Sequence, residues 1–206
     1  MTDGADPRRY ADAPFAVQRD VLVDAVMANR SAKAVLERAG ALGLPDWALM
    51  AGCVYKSVWN ALTGRDPEFG INDYDLAYCD VSDLSKSAEQ AVIEKHRAVF
   101  ADIPREVELC NQARVPIWFS EEYGVPRKPI TSTEGAVCDF ASKTHCAAIR
   151  LDADGEPELI APFGLDALFS LHVRPFPGIA APAAWNAKCT AQKDLWPEIE
   201  FELIEV

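Results

Sequence analysis

The chain has 206 residues, half of them hydrophobic, and carries 32 acidic against 20 basic side chains for a net charge of −12. That length and apolar content suit one compact domain or a domain with a small appendage. The acidity argues against a nucleic-acid acceptor, which needs a basic stripe, and no apolar run approaches the roughly 20 residues that cross a bilayer.

Residues 1–13 read as a flexible leader, polar and without the apolar stretch of a signal peptide, so the domain is expected over residues 14–206. Cys53, Cys79, Cys110, Cys138, Cys146 and Cys189 are scattered without a CxxC pair, which predicts reduced, mostly buried thiols in a cytoplasmic protein. Phe15 to Met27 places Val17, Val21, Leu22, Ala25 and Val26 on one helical stripe. Ser31 to Leu42 repeats the pattern until Gly43 and Pro45 end it. These two helices are expected to cover a sheet.

The apolar run from Trp47 to Ala51 stops at Gly52, and Val54, Val58, Trp59 and Leu62 then share a helical face. Amides at a helix N-terminus attract phosphate, and a residue without Cβ lets it approach. The plainer reading of Gly52 is an ordinary tight turn. After a polar loop (Thr63 to Gly70) comes a strand carrying Asp73 and Asp75. Strand side chains alternate, so the two carboxylates point the same way about 7 Å apart. Such like charges call for a cation between them, and hard oxygens suit Mg²⁺ or Mn²⁺.

Ser87 to Gln90 fits a capping box, opening a helix with Ala88, Val92, His96 and Val99 on one stripe. Glu106 to Cys110 alternates acid and apolar residues as a strand does. Pro116 suits the first turn of a short helix, Ile117 to Tyr123, closed by Gly124. Thr131 to Glu134 is a second capping box. A hairpin is expected from Cys146 to Ala161 around Asp154-Gly155, then short helices at Gly164 to Leu171 and Ala183 to Leu195.

A glycine between strand and helix, followed by Asp-x-Asp on the next strand, resembles the polymerase-β-type nucleotidyltransferases, where a third acid in a later strand completes the set. Val107-Glu108-Leu109 offers that acid. The words Ala51-Gly52-Cys53-Val54, Val58-Trp59, Asp73-Tyr74-Asp75, Asn111-Gln112-Ala113-Arg114, Ala161-Pro162-Phe163-Gly164-Leu165-Asp166 and Trp196-Pro197 resemble, in that order, a bacterial family of nucleotidyltransferase-like proteins. The resemblance implies an α/β (α+β) fold: a short mixed sheet flanked by helices, with acids at one sheet edge. It also implies two-metal transfer of a nucleoside monophosphate from an NTP to a hydroxyl. Asp73 and Asp75 would share both cations (Mg²⁺ or Mn²⁺), and Glu108 would hold the one that activates the acceptor, a small molecule or a protein. A non-catalytic nucleotide-binding or protein-interaction module on the same scaffold is the alternative. A sugar transferase, which also uses Asp-x-Asp, fits this length less well.

Nucleotide-binding residues are expected at Gly52, Cys53, Lys56 and Arg114. Cys53 stands where the superfamily usually has Ser or Gly. A thiol is the poorer donor, so phosphate grip would lean on backbone amides. Tyr55-Lys56 replaces the Arg-Asn that the family favours; Lys56 either reaches phosphates as a point charge or lies on the exposed face. Arg114, after Asn111 and Gln112, is a counter-charge for the acids or a phosphate clamp. Pro116 stands where a His is expected. His96 is expected to be packed and His145 to edge a pocket, while His172 has no evident partner.

Overall fold

Helices α1 (Phe15–Ala28) and α2 (Arg30–Ala39) come first in a computed structural model that describes residues 6–179 and 181–205. Asn29 joins the two helices. Its side-chain oxygen caps α2 by accepting from the Ala32 amide at 2.9 Å, and its NH₂ donates to Ser57 and to the Pro67 carbonyl. A buried residue with every group satisfied fixes the angle at which the helix pair meets the rest of the chain.

Strand β1 (Ala48–Met50) leads into α3 (Gly52–Thr63), and β2 (Asp73–Tyr78) follows. Next come α4 (Lys86–His96), β3 (Glu106–Asn111), α5 (Val115–Tyr123) and α6 (Thr133–Cys138). The hairpin of β4 (Ala148–Leu151) and β5 (Pro157–Ile160) precedes α7 (Asp166–Phe169). A two-residue strand, β6 (His172–Val173), then α8 (Pro182–Leu195) and β7 (Glu200–Phe201) close the chain.

Five strands form one mixed sheet in the order β3-β2-β1-β4-β5, with only the β2–β3 pair parallel. Alternation gives the sheet two cores. Leu49, Tyr74, Leu76, Leu109 and Ile149 face the larger one, built with α1, α2 and α3. Ala48, Met50, Ala77 and Ala148 face a smaller one under Ala136 and Val137 of α6. On that second face, β2 and β3 carry carboxylates at the positions before the small apolar residues begin. The mixed sheet flanked by helices is the expected class.

Several local expectations shift. Val17 is 41% exposed and Gln18 is buried in its place, because its amide NH₂ reaches the Tyr10 and Ala11 carbonyls and Asp166. Those bonds, with Tyr10 set edge-on to Phe169 at 6.3 Å, tie Tyr10 and Ala11 to the domain. Residues 1–5 of the expected leader lie outside the described part. Ser85, not Ser87, caps α4, and Ser132, not Thr131, caps α6. The β6–β7 pair is too short for a period to reveal it. No described helix is long and apolar enough to cross a membrane.

Candidate active site

At the end of β1 the backbone turns through Ala51, whose φ of 61° and ψ of −137° are strained for a residue with a Cβ. The strain of this strand-to-helix turn thus sits on Ala51 and not on Gly52. Gly52 opens α3, and a Cβ there would stand in ordinary contact with the Lys56 side chain, 3.5 Å from Cε and 3.6 Å from Nζ. Amide groups and the helix dipole at this helix start favour anions.

Asp75 pairs across β1–β2 with Met50, and across the parallel β2–β3 pair with Glu108. Partners in register on parallel strands project from the same face, and Asp73 joins them two residues back. The three acids feel one another. Burial first, then Asp73 and Glu108, push the Asp75 carboxyl up to about 7. Burial, then Asp73 and the acids at 106 and 89, raise Glu108 also.

Lys56 corrects the exposed-face reading. Its side chain is buried, and Nζ donates to the Gly70 carbonyl at 2.9 Å. Burial lowers its pKa, as does the cation of Lys188, while Asp73 and Asp75 pull the other way. Cys53 is wholly buried, with Sγ donating to the Met50 carbonyl at 3.0 Å; burial pushes its thiol far up. Its side chain is therefore committed inward, and its backbone amide is what it offers at the helix start.

Arg114 does not stand free beside the three acids. It is buried, pairs with Glu89, and donates from Nε to the Leu84 carbonyl at 3.0 Å. The phosphate-clamp reading loses its free guanidinium. What remains is a counter-charge, set against Glu89 of α4. Asn111 caps the short turn after β3 and exchanges bonds with the backbone of Asp80.

Beside the α3 start opens a cleft of about 740 Å³, walled by Ala51 and Tyr55, by Phe140 and Phe176, and by Trp185 and Lys188 of α8. His145 edges it as expected, its ring 4.5 Å from that of Tyr55. Burial holds this imidazole neutral, helped by Lys188 and Lys56. Lys188 was missed by sequence reasoning: it follows no motif, and only the folded chain brings α8 to α3. Its cation nonetheless acts on Asp75, as that of Lys56 does. His96 is packed, and His172 pairs with Glu202 at 2.9 Å.

Among the described residues, no three His, Cys, Asp or Glu side chains gather closely enough to hold a metal ion by themselves. The donor chemistry nevertheless fits a hard divalent cation. Three mutually repelling carboxylates share one sheet face beside a phosphate-attracting helix start, and Mg²⁺ is commonly held by one or two carboxylates together with substrate phosphates.

A family model described as nucleotidyltransferase matches residues 37–201. Among solved structures, the chain is similar to an NMR structure described as revealing a CCA-adding enzyme head domain. The TM-score is 0.72 at 23% identity, over 90% of this chain and 96% of that one, a likeness of fold. No curated protein matches the sequence.

Proposed function

The chain belongs to this nucleotidyltransferase family, and on that premise we propose that it moves a nucleoside monophosphate from an NTP to a hydroxyl acceptor, a small molecule or a protein, with a divalent cation as cofactor. The observation that carries the reading is the register of Asp75 opposite Glu108, with Asp73 on the same face next to the α3 start. In the reaction, the acceptor oxygen bonds the α-phosphorus, the α–β phosphoanhydride bond breaks, pyrophosphate leaves, and the hydroxyl proton passes to solvent. Bound by Asp73, Asp75 and Glu108, Mg²⁺ or Mn²⁺ would supply activation of that hydroxyl and charge stabilisation for the leaving pyrophosphate. The amides at Gly52 and Cys53 bind phosphate, and the Lys56 cation tempers Asp75. Six free thiols suit a reducing compartment such as the cytoplasm.

One observation favours a second reading, a non-catalytic nucleotide-binding module. The side chain after Gly52 is a buried thiol turned to Met50 rather than a hydroxyl available to phosphate. The test is a thermal-shift and pyrophosphate-release screen with Mn²⁺ or Mg²⁺ across the four NTPs, on wild type and Asp75→Asn. Transfer requires pyrophosphate release by wild type only, and a metal-induced shift that Asp75→Asn abolishes. Persistence of that shift in the mutant removes Asp75 from the site. Binding of metal and NTP without pyrophosphate release, in any acceptor pool, selects the module.

A further inference from the structure

We propose that the outer edge of β3 receives an extended, basic segment of another protein as an added antiparallel strand, and that a serine or threonine of that segment, set opposite Glu108, supplies the acceptor hydroxyl. The inference rests on the nucleotidyl-transfer reading and narrows its acceptor from a small molecule or a protein to a peptide strand.

β3 stands at one end of the five-stranded sheet and pairs with β2 alone. An edge strand presents a row of unpaired N–H and C=O groups on its outer side, and added strands bind there through main-chain bonds. The parity of the row is fixed at Asn111, whose amide turns away from β2 to Glu89 Oε1 at 2.9 Å. By alternation, Val107 and Leu109 turn their amides and carbonyls the same way. Among the described residues, no backbone bond outside the helices and strands takes up either amide. Glu106 and Glu108 are exposed on this stretch, and Glu89 closes the edge only at Asn111.

A strand laid along this edge bonds to Val107 and Leu109. In an antiparallel pair, the more stable kind per residue, the residue opposite Glu108 is then a non-hydrogen-bonded partner. Side chains come closest in such pairs, with Cβ atoms about 4.5–5.5 Å apart on the same face. A hydroxyl there stands beside Glu108 on the face that Asp73 and Asp75 share. The α3 start lies to the other side of Asp75, past β1, which pairs with β2 through Met50 and Asp75. Acceptor and triphosphate therefore reach the acids from opposite sides, which suits in-line displacement. The hydroxyl oxygen bonds the α-phosphorus, and the α–β anhydride bond breaks with its electron pair on pyrophosphate. The proton passes to solvent, and the peptide keeps the nucleoside monophosphate as a phosphodiester.

Charge selects the occupant. A second copy of this chain would bring Glu106 and Glu108 face to face with the same acids, and like charges directly opposite are destabilising. The net charge of −12 adds to that repulsion. A basic segment is attracted by both. Two residues beyond the acceptor hydroxyl, the antiparallel strand faces Glu106, so lysine or arginine is expected there, giving Ser/Thr-x-Lys/Arg.

The test uses the full chain with Mn²⁺, the four NTPs and short synthetic peptides rich in valine and threonine around one central serine, read by mass spectrometry for added nucleoside monophosphate. A peptide with arginine two residues after the serine should be labelled about tenfold faster than its glutamate counterpart, and Glu106→Lys should reverse that order. N-methylation of the two residues flanking the serine, whose amides face β3, should abolish labelling, whereas N-methylation two residues away should leave it. Val107→Pro removes only an outward amide, which an edge strand tolerates. Labelling should fall in that variant while the melting shift with Mn²⁺ and NTP is retained. Labelling that survives methylation of the flanking amides, or that ignores the charge at residue 106, overturns strand addition. Pyrophosphate release supported by small hydroxyl compounds but by no peptide overturns the peptide acceptor while nucleotidyl transfer stands. If NTP and Mn²⁺ give no release with either kind of acceptor, the transfer reading itself fails and the peptide acceptor goes with it.

Discussion

The indole of Trp196 lies so close over Gly70 that a Cβ added to the glycine would stand 2.4 Å from Cη2. Trp196 is anchored there by its Nε1 bond to Asn60 at 3.0 Å and by edge contacts with Trp59 and Phe69. Gly70 in turn presents the carbonyl that holds Lys56. A tryptophan near the C-terminus thus braces the loop that fixes the Lys56 cation, whose charge acts on Asp75.

Gly70→Ala should therefore be costly twice over. The residue has φ +66°, which an L side chain resists, and the new methyl collides with a ring that has nowhere to go. A loss of about 3 kcal/mol is expected, roughly 10 °C in melting temperature. Gly124→Ala is the control. Its φ of +67° is the same, but no atom lies within 4 Å of the added Cβ, so only the backbone term of about 1–2 kcal/mol applies. Equal melting temperatures for the two variants would show that the Trp196 contact carries no energy.

Arg114 separates a structural cation from a ligand-binding one. Glu89 accepts from it and also from the Asn111 amide at 2.9 Å, so the pair ties α4 to the end of β3. Arg114→Met leaves a largely buried carboxylate without its counter-charge, and a loss of about 3 kcal/mol is expected. The melting shift produced by NTP and metal should keep its size in this variant. If that shift vanishes while the fold is kept, the clamp role returns.

Much of the site was legible because its logic is local. The parity of Asp73 and Asp75 follows from strand alternation, and the strand-Gly52-helix turn and the apolar flanks of Glu108 need no distant partner. What could not be read depended on pairings across the chain. Lys56 looked exposed because its own helix says nothing about the Gly70 carbonyl. Arg114 stayed open between counter-charge and phosphate clamp because Glu89 sits on another helix. Lys188 looked ordinary because α8 reaches α3 only in the folded protein. Tyr10 likewise has no local partner, yet meets Phe169 in the folded chain.

Metal-free stability should carry the signature of Asp75. Burial and its acidic neighbours push this carboxyl up to about 7, whereas an aspartate in an unfolded chain titrates near 3.9. Between those values the folded state holds more protons than the unfolded one. The favourable contribution is complete below about pH 4 and is lost as pH rises through 7. Asp75→Asn has no such loss. Melts in EDTA should show the mutant more stable than wild type at pH 8, with the two converging toward pH 5. A mutant advantage independent of pH would mean that Asp75 is not held in its protonated form by the fold.

Gly52→Ala tests the helix start itself. Because the strained φ belongs to Ala51 and the nearest atoms to the added methyl are those of the Lys56 side chain, Cε at 3.5 Å and Nζ at 3.6 Å, the folded state accommodates it in ordinary contact. Alanine is also the better helix former, by up to about 1 kcal/mol in a helix interior. The metal-free melting temperature should hold or rise slightly. The methyl does, however, add bulk beside the first amides of α3, where a phosphate would approach. NTP affinity should fall about tenfold or more, while the shift with Mn²⁺ alone, which depends on the acids across β2 and β3, stays near the wild-type value. Calorimetric titration of both proteins with an NTP analogue at fixed Mn²⁺ reads this directly. Unchanged NTP affinity with a stable fold would place the triphosphate away from the α3 N-terminus.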